Sequence, residues 1–356
     1  MGDFLSFSNK YFVNLDSFKR YRNSLAFYRP VSTGNMVKKN ALFAAYPFFK
    51  ILGSKIDKIA FFKLLGVEEI IQYEKKYGKI NGVYLPPGSG KVVVQILNKH
   101  DEIIGYLKIS LNEDGMRQMR NEAQILSFLK SQKVDHFSYP DILDMDERNG
   151  AEFLFLSTPE KLLMPFNLPL HELMQIASNI FSVETKREEV INSIYFKQIE
   201  KRVSSSSFTN MLSRQVAGIK RDLTGLEINT GFVHGDFKIW NVFQLVDGKY
   251  FIIDWELASR FGFPMWDLWT WFLIGKMAQG KKLNKKDVIL LQEINRANRD
   301  ITFVLQAPHG LEALTRLFFI DVVTKLEMHG HGDKNTRDAI NYMLHLVLST
   351  NEYFRL

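Results

Sequence analysis

Residues 231–257 constrain this chain more than any other stretch. They read Gly231-Phe232-Val233-His234-Gly235-Asp236-Phe237-Lys238-Ile239-Trp240-Asn241-Val242-Phe243 and, further on, Tyr250-Phe251-Ile252-Ile253-Asp254-Trp255-Glu256. Val242-Phe243 and Phe251-Ile252-Ile253 have the composition of two strands, and Gln244 to Gly248 between them that of a hairpin turn. A hairpin sets Asn241 just before its first strand and Asp254 just after its second, so both side chains emerge at one end. An amide oxygen and a carboxylate converging there make a hard-oxygen site suited to Mg2+, which keeps water and phosphate oxygens as its other ligands. Asp236, on the loop before Asn241, can face the same point as a base.

Phosphoryl transfer needs these parts. One carboxylate orients the attacking hydroxyl and accepts its proton, while an Asn and an Asp hold the metal that neutralises the phosphates. Lys238, two residues past the base, can place positive charge on the transferring phosphoryl group. Any one of these residues alone would pass for an ordinary polar residue of a loop. The joint spacing D-x-K-x-x-N with a downstream apolar-apolar-Asp is what chance does not readily supply.

The rest of the chain orders itself around this island. Residues 68–110 read as strands, with Val92 to Leu97 and Ile103 to Ile109 the clearest, separated by the polar turn Asn98 to Glu102. Residues 115–130 read as a helix, with Asn112 or Asp114 as its cap, and Ala151 to Leu156 as a further strand. Helical patterns then run through 169–203, 208–224, 265–278, 284–305, 311–328 and 334–352. A small β-rich lobe with one helix, followed by a larger helical lobe with a β-island, is an α+β arrangement. The division expected is an extension over 1–58, an N-lobe over 59–158 and a C-lobe over 159–356, within a length of 356 residues that allows it.

Charge separates the first segment from the others. Of 46 basic and 39 acidic residues, ten basic and three acidic fall in 1–58, which leaves 36 of each sign beyond it. The same segment holds Phe4, Phe7, Tyr11, Phe12, Tyr28, Phe43, Tyr46, Phe48 and Phe49. Basic residues interleaved with aromatics suit an anionic membrane surface, and equally an extension whose aromatics pack on the first lobe while its charges face water. Nucleic acid ranks well behind both. The absence of cysteine excludes disulfides and thiolate chemistry. The start has no basic region followed by an apolar stretch, and no apolar run is long enough to span a bilayer, so a cytoplasmic protein, with peripheral membrane contact at most, is expected.

The run His234-Gly235-Asp236-Phe237-Lys238-Ile239-Trp240-Asn241, with Ile253-Asp254-Trp255-Glu256 downstream, resembles the catalytic and metal-binding segments of the aminoglycoside phosphotransferase and choline kinase superfamily. That resemblance implies a bilobal protein-kinase-like fold, ATP and Mg2+ as cofactors, and a small-molecule or glycan hydroxyl as acceptor. It makes Asp236 the catalytic base, Asn241 and Asp254 the metal ligands, and His234 a brace of the loop. Lys108 ends an apolar strand, where its charge is out of place unless it meets an anion; the resemblance makes it the lysine that grips the α- and β-phosphates, with Glu122 as its ion-pair partner. Gly88, Ser89 and Gly90 fall where the phosphate-covering loop belongs, although a plain hairpin turn explains them almost as well. Phe155 to Ser157 and Thr158 stand where a hinge offers its backbone to adenine. Asp267 has a sufficient explanation as the cap of its own helix, and Trp240 and Trp255 are near enough to the metal residues to line the cleft. His329 and His331, with no third ligand nearby, read as an exposed loop.

Lys238 is more usual in protein kinases than in small-molecule kinases, yet Asp254 is followed by Trp-Glu and by no A-P-E motif. The acceptor expected is therefore a small molecule or a sugar, and in a sharper version a lipid-linked or cell-surface glycan precursor. Two rival readings are a nucleotide-binding pseudokinase and a protein kinase.

Overall fold

Alternating apolar residues build the larger sheet. In the computed structural model, which describes residues 3–7, 11–25, 33–47, 49, 55–86, 90–159, 168–274, 276, 287, 290, 294, 309–329 and 334–354, eight strands join in antiparallel pairs. They are β1 (Asp3–Phe7), β2 (Tyr11–Asn14), β3 (Lys55–Asp57), β4 (Lys79–Tyr84), β5 (Lys91–Leu97), β6 (Ile103–Ser110), β7 (Ile142–Arg148) and β8 (Ala151–Ser157), in the order β3-β1-β2-β4-β5-β6-β8-β7. Successive side chains of a strand point to opposite faces. Phe4 and Phe12 therefore join the core made by Phe61, Phe62, Val92, Leu107 and Phe153, while Leu5 and Val13 pack on Tyr21 and Leu25 across the sheet. Phe61 lies edge-on to Phe4 at 6.2 Å and to Phe62 at 5.3 Å, a geometry worth about 0.5–1.5 kcal/mol per pair beyond burial.

The first 58 residues thus contribute three strands to this sheet, and their aromatics are largely used in packing. Tyr11 stacks on Tyr84 at 4.7 Å, and Phe43, Tyr46 and Phe49 pack on the Leu5 cluster. Tyr28 and Phe48 lie outside the described residues.

Helices α1 (Phe18–Ser24), α2 (Thr33–Ala44), α3 (Lys58–Leu64), α4 (Ile70–Tyr77) and α5 (Glu113–Ser131) accompany the sheet. Helix α4 departs from the strands expected over 68–110. Its Ile70 and Tyr73 are buried at helical spacing, and a short apolar run does not by itself distinguish helix from strand. For α5 the cap is Asn112, whose side chain accepts the Gly115 N–H at 2.9 Å, with Glu113 and Asp114 in the first turn where carboxylates favour the helix dipole. Strand β7 has no counterpart in the sequence expectation; its residues alternate between half-buried and exposed, as at a sheet edge.

The chain forms two compact units, Met1–Asn167 with Ile239–Glu256, and Leu168–Lys238 with Leu257–Leu356. The second contains α6 (Leu170–Phe181), β9 (Thr185–Glu189), α7 (Ile194–Ser204), α8 (Thr209–Leu223) and β10 (Glu227–Val233). The helical pattern expected over 169–203 is broken by β9, a polar Thr-Lys-Arg-Glu-Glu segment that five register pairs hold against β10. Long-range ladder bonds here override a local preference that was weak to begin with. The chain then returns to the first unit for the hairpin β11 (Val242–Gln244) and β12 (Tyr250–Ile252), and continues in the second with β13 (Ser259–Gly262), α9 (Trp266–Trp269), a π-helical turn at Thr270–Ile274, α10 (Gly310–His329) and α11 (Lys334–Phe354). Strand β10 lies between β13 and β9. Most of the helix expected over 284–305 lies outside the described residues, as do His331 and Gly332. Among the described residues, no helix is long and apolar enough to cross a membrane.

Candidate active site

The hairpin runs as its sequence implies. Val242 faces Ile252, Phe243 faces Phe251 and Gln244 faces Tyr250, and the Ile253 N–H donates to the Asn241 carbonyl at 3.0 Å. Asn241, nearly fully buried, and Asp254 therefore sit at the same end of the hairpin. Ser138 fastens the hairpin to the first unit: its N–H donates to Tyr250 O at 2.7 Å and its carbonyl accepts the Ile252 N–H at 2.8 Å. Asp254 has φ +70°, in the left-handed region that Asp tolerates better than most residues.

Around Asp254 the first unit assembles a network of buried charge. Lys108, in β6 between Val93 and Leu154, donates to Glu122 Oε2 at 2.6 Å and to Asp254 Oδ1 at 2.8 Å, with Glu256 Oε2 at 3.6 Å. Burial pulls the Lys108 ammonium down, but Asp254 and Glu122 outweigh it and hold it above the usual lysine range. Glu122 on α5 is fully buried; its Oε1 has no partner among the described residues. Lys91, at the start of β5, is buried too, donating to Gln118 Oε1 at 2.9 Å and forming an ion pair with Glu256. Asn121 Nδ2 donates to the Glu256 carbonyl at 2.9 Å. Helix α5 thus brings Gln118, Asn121 and Glu122 to the network from positions i, i+3 and i+4, which share a face.

Carboxylate oxygens of Glu122, Asp254 and Glu256 lie within 4.8 Å of one another. The donor set is all oxygen, the Asp254 side chain is 35% exposed, and one buried carboxylate oxygen of Glu122 is unused. Those residues fit a hard divalent cation of the Mg2+ kind.

In the second unit the loop after β10 is held from beneath. The buried Asp267 carboxylate accepts the N–H groups of His234 at 2.8 Å and Gly235 at 3.0 Å. Burial raises this carboxyl above its ordinary range, against the opposing pull of His234 and the two N–H donors. Asp267 is thus no cap of its own helix: the N-cap position belongs to Met265, without a side-chain hydrogen bond, and the carboxylate holds the loop instead. His234 Nδ1 accepts the Asp236 N–H at 3.2 Å. Gly235 has φ +77°, and a Cβ there would fall 2.2 Å from Leu257 O, so only glycine fits. Phe237 is buried, its ring 5.2 Å from that of Trp271. The loop so fixed carries Asp236 and Lys238, which form an ion pair with each other.

Other sequence expectations fall elsewhere. Gly88 and Ser89 lie outside the described residues. Gly90 has φ +61° and packs on the start of α5; its carbonyl accepts the Leu111 N–H at 2.7 Å, and a Cβ would meet Asn112 Oδ1 at 2.0 Å. Phe155 lies inside β8, buried, with its ring 4.9 Å from Tyr77. The Ser157 N–H donates to Asp141 O at 2.9 Å and its hydroxyl accepts the Asp141 N–H at 2.8 Å. Trp255 is a core residue and not a cleft wall: fully buried, it stacks on Phe137 at 5.7 Å and donates to Ile252 O. Sequence reasoning passed over Lys91 and Glu256. The signal for Lys91 was the same as for Lys108, a lysine on an apolar strand.

The fold agrees with that of known kinases. Residues 207–287, which include the His234–Asn241 loop and Asp254, match the model of the phosphotransferase enzyme family. Choline kinase LicA from Streptococcus pneumoniae superposes with a TM-score of 0.51 at 14% identity, over 80% of this chain and 99% of that one. By fold and by this segment the chain is phosphotransferase-like. Other phosphotransferases agree in the fold. A thermostable mutant of aminoglycoside phosphotransferase APH(4)-Ia, in a ternary complex with ADP and hygromycin B, gives a TM-score of 0.52 at 14% identity, over 80% and 98% of the two chains. The GDP and kanamycin complex of APH(2")-IIia gives 0.50 at 12%, over 82% and 99%. No curated protein matches the sequence.

Proposed function

We propose that this chain is a Mg2+-dependent kinase that moves the terminal phosphate of ATP to a hydroxyl of a small molecule or glycan precursor. The observation that carries this reading is Lys108, buried and held between Glu122 and Asp254. An ammonium so placed, on a strand facing a helix carboxylate, is preorganised to receive phosphate oxygens. Solved relatives bind AMP, ADP or GDP, which supports a nucleotide as the donor.

In this reading Lys108 grips the nucleotide phosphates and Glu122 fixes its direction. Asn241 and Asp254 hold the magnesium ion, which when bound neutralises the phosphate oxygens. Asp236 accepts the acceptor's hydroxyl proton as the new oxygen–phosphorus bond forms and the bond to the ADP oxygen breaks. Lys238 offers positive charge to the transferring group. Asp267 and His234 act on the loop that carries Asp236 and so position it. The basic excess of residues 1–58 supports peripheral work at an anionic surface; Lys63 and Leu64 of α3 are exposed and available to it.

Transfer of terminally labelled phosphate from ATP into the soluble, lipid and protein fractions of a cell extract tests the proposal. Label should appear in the soluble or lipid fraction, and Asp236→Asn should lower its rate about 10²–10⁴-fold while ADP binding persists. Wild-type rates in Asp236→Asn would remove the base from this residue. Label on polypeptide alone would make the acceptor a protein, and ADP binding without any transfer would make the chain a nucleotide-binding regulator.

A further inference from the structure

Two buried lysines on adjacent strands converge on one oxygen. Lys91 of β5 and Lys108 of β6 both approach Glu256 Oε2, Lys91 as a contact ion pair and Lys108 at 3.6 Å. Glu256 is anchored through its carbonyl by Asn121, and the Lys91 ammonium is also held by Gln118. Neither group can drift far from the other.

The arrangement has an electrostatic consequence. Phosphate oxygens and nearby carboxylates compete for the same ammonium, and the competition is strong where water is excluded. Glu122 is needed to aim Lys108, and Asp254 is the carboxylate expected to turn to a metal ion. Glu256 does not aim Lys108, and with no divalent metal to claim it, it stands within reach of Lys108 and would neutralise it if nothing else held its charge. Lys91 is the group that claims it.

We infer that Lys91 is a positioning residue for nucleotide binding: it holds the Glu256 carboxylate as counter-ion and so leaves the Lys108 ammonium available to a nucleoside diphosphate or triphosphate. The inference rests on the kinase reading above, in which Lys108 receives the phosphates. Lys91 itself need not touch the nucleotide, which sets it apart from a second phosphate-gripping lysine.

Calorimetric titration of the full chain with ADP, without divalent metal, separates these possibilities. The set is wild type, Lys91→Met, Glu256→Gln and the double variant, each checked by thermal unfolding. Lys91→Met should weaken ADP binding about 5- to 100-fold, within the range of couplings between groups in one ionic network. Adding Glu256→Gln should restore the affinity to within about threefold of the Glu256→Gln variant, because the competing charge is gone. Glu256→Gln alone should bind ADP at least as tightly as wild type.

Lys91→Met binding like wild type would overturn the inference. So would a double variant as weak as Lys91→Met, since Lys91 would then contact the phosphates directly. Should Lys91→Met fail to fold, Glu256→Gln decides: binding more than about threefold weaker than wild type would overturn the inference, because Glu256 would then assist and not compete. A wild-type chain that binds no ADP without metal is titrated again with Mg2+ present for the whole set, and binding in neither condition would overturn the kinase reading itself.

Discussion

Two clusters of buried charge, one in each unit, look alike at first and differ in one respect. In the second unit Asp321 of α10 accepts four donors: Tyr195 hydroxyl, Trp266 Nε1 and Lys325 Nζ, each at 2.9 Å on Oδ2, and Arg202 on Oδ1. A carboxylate offers about four lone-pair sites, and four donors match that number with both oxygens of Asp321 engaged. In the first unit, two lysines face three carboxylates, Glu122 Oε1 is unused among the described residues, and Asp254 reaches solvent on a left-handed backbone. Burial of charge is common to both clusters. Saturation distinguishes a cluster that holds helices together from one with capacity left for a ligand.

The comparison can be broken at several points. Asp321→Ala should have the largest effect on stability, about 3–5 kcal/mol, because it leaves the half-buried Arg202 and Lys325 without their buried carboxylate. ADP affinity should be unchanged; a loss would show that this cluster also serves binding. Glu122→Gln should cost less, about 1.5–3 kcal/mol, since Lys108 keeps Asp254. It should weaken ADP binding about tenfold, and calorimetry that found no weakening would put Glu122 in the same structural class as Asp321.

Acid titration sharpens the contrast. Burial raises the Asp321 carboxyl, but Lys325, Arg202 and Tyr195 overcome that and hold it below the ordinary carboxylate range. A depressed carboxyl stabilises the fold above its unfolded-state pKa, and the stabilisation is lost as pH falls through the folded-state value. Unfolding followed from neutral to acid pH should therefore show a slope that Asp321→Asn reduces. An unaltered slope would mean that Asp321 is no more tightly held than a surface carboxylate. The smallest effect belongs to Tyr195→Phe, about 1 kcal/mol in a urea titration, because Asp321 keeps three donors. Burial lifts the Tyr195 phenol to about 12, so this hydroxyl remains a donor across the working range.

How much of this was legible in the sequence depends on the distance over which each feature is decided. The β11–β12 hairpin comes from a pattern within about twenty residues and was readable; the α5 cap was narrowed to Asn112 or Asp114, and the pairing of Lys108 with Glu122 was implied by the family resemblance. The roles of Lys91 with Glu256, and of Asp267 with His234, join residues 165 and 33 positions apart, and no local pattern carries them. Strand β9 failed for the same reason: a polar segment became a strand because β10 was there to pair with it. Trp255 was expected in the cleft because it follows Asp254 in the chain. On a chain turning out of a strand, adjacent side chains leave in different directions, and the tryptophan points to Phe137.

The hairpin that carries Asn241 and Asp254 belongs to the first unit, although residues 168–238 of the second unit precede it in the chain. During synthesis from the N-terminus, the large sheet can form once β8 has emerged, but Lys108 and Lys91 would then be enclosed with neither Asp254 nor Glu256 yet made. Chains fold progressively as they leave the ribosome, so this charge network is necessarily finished late. The charge network therefore doubles as a record of completion: a chain truncated before residue 254 lacks the ion pairs that join Lys108 to Asp254 and Lys91 to Glu256.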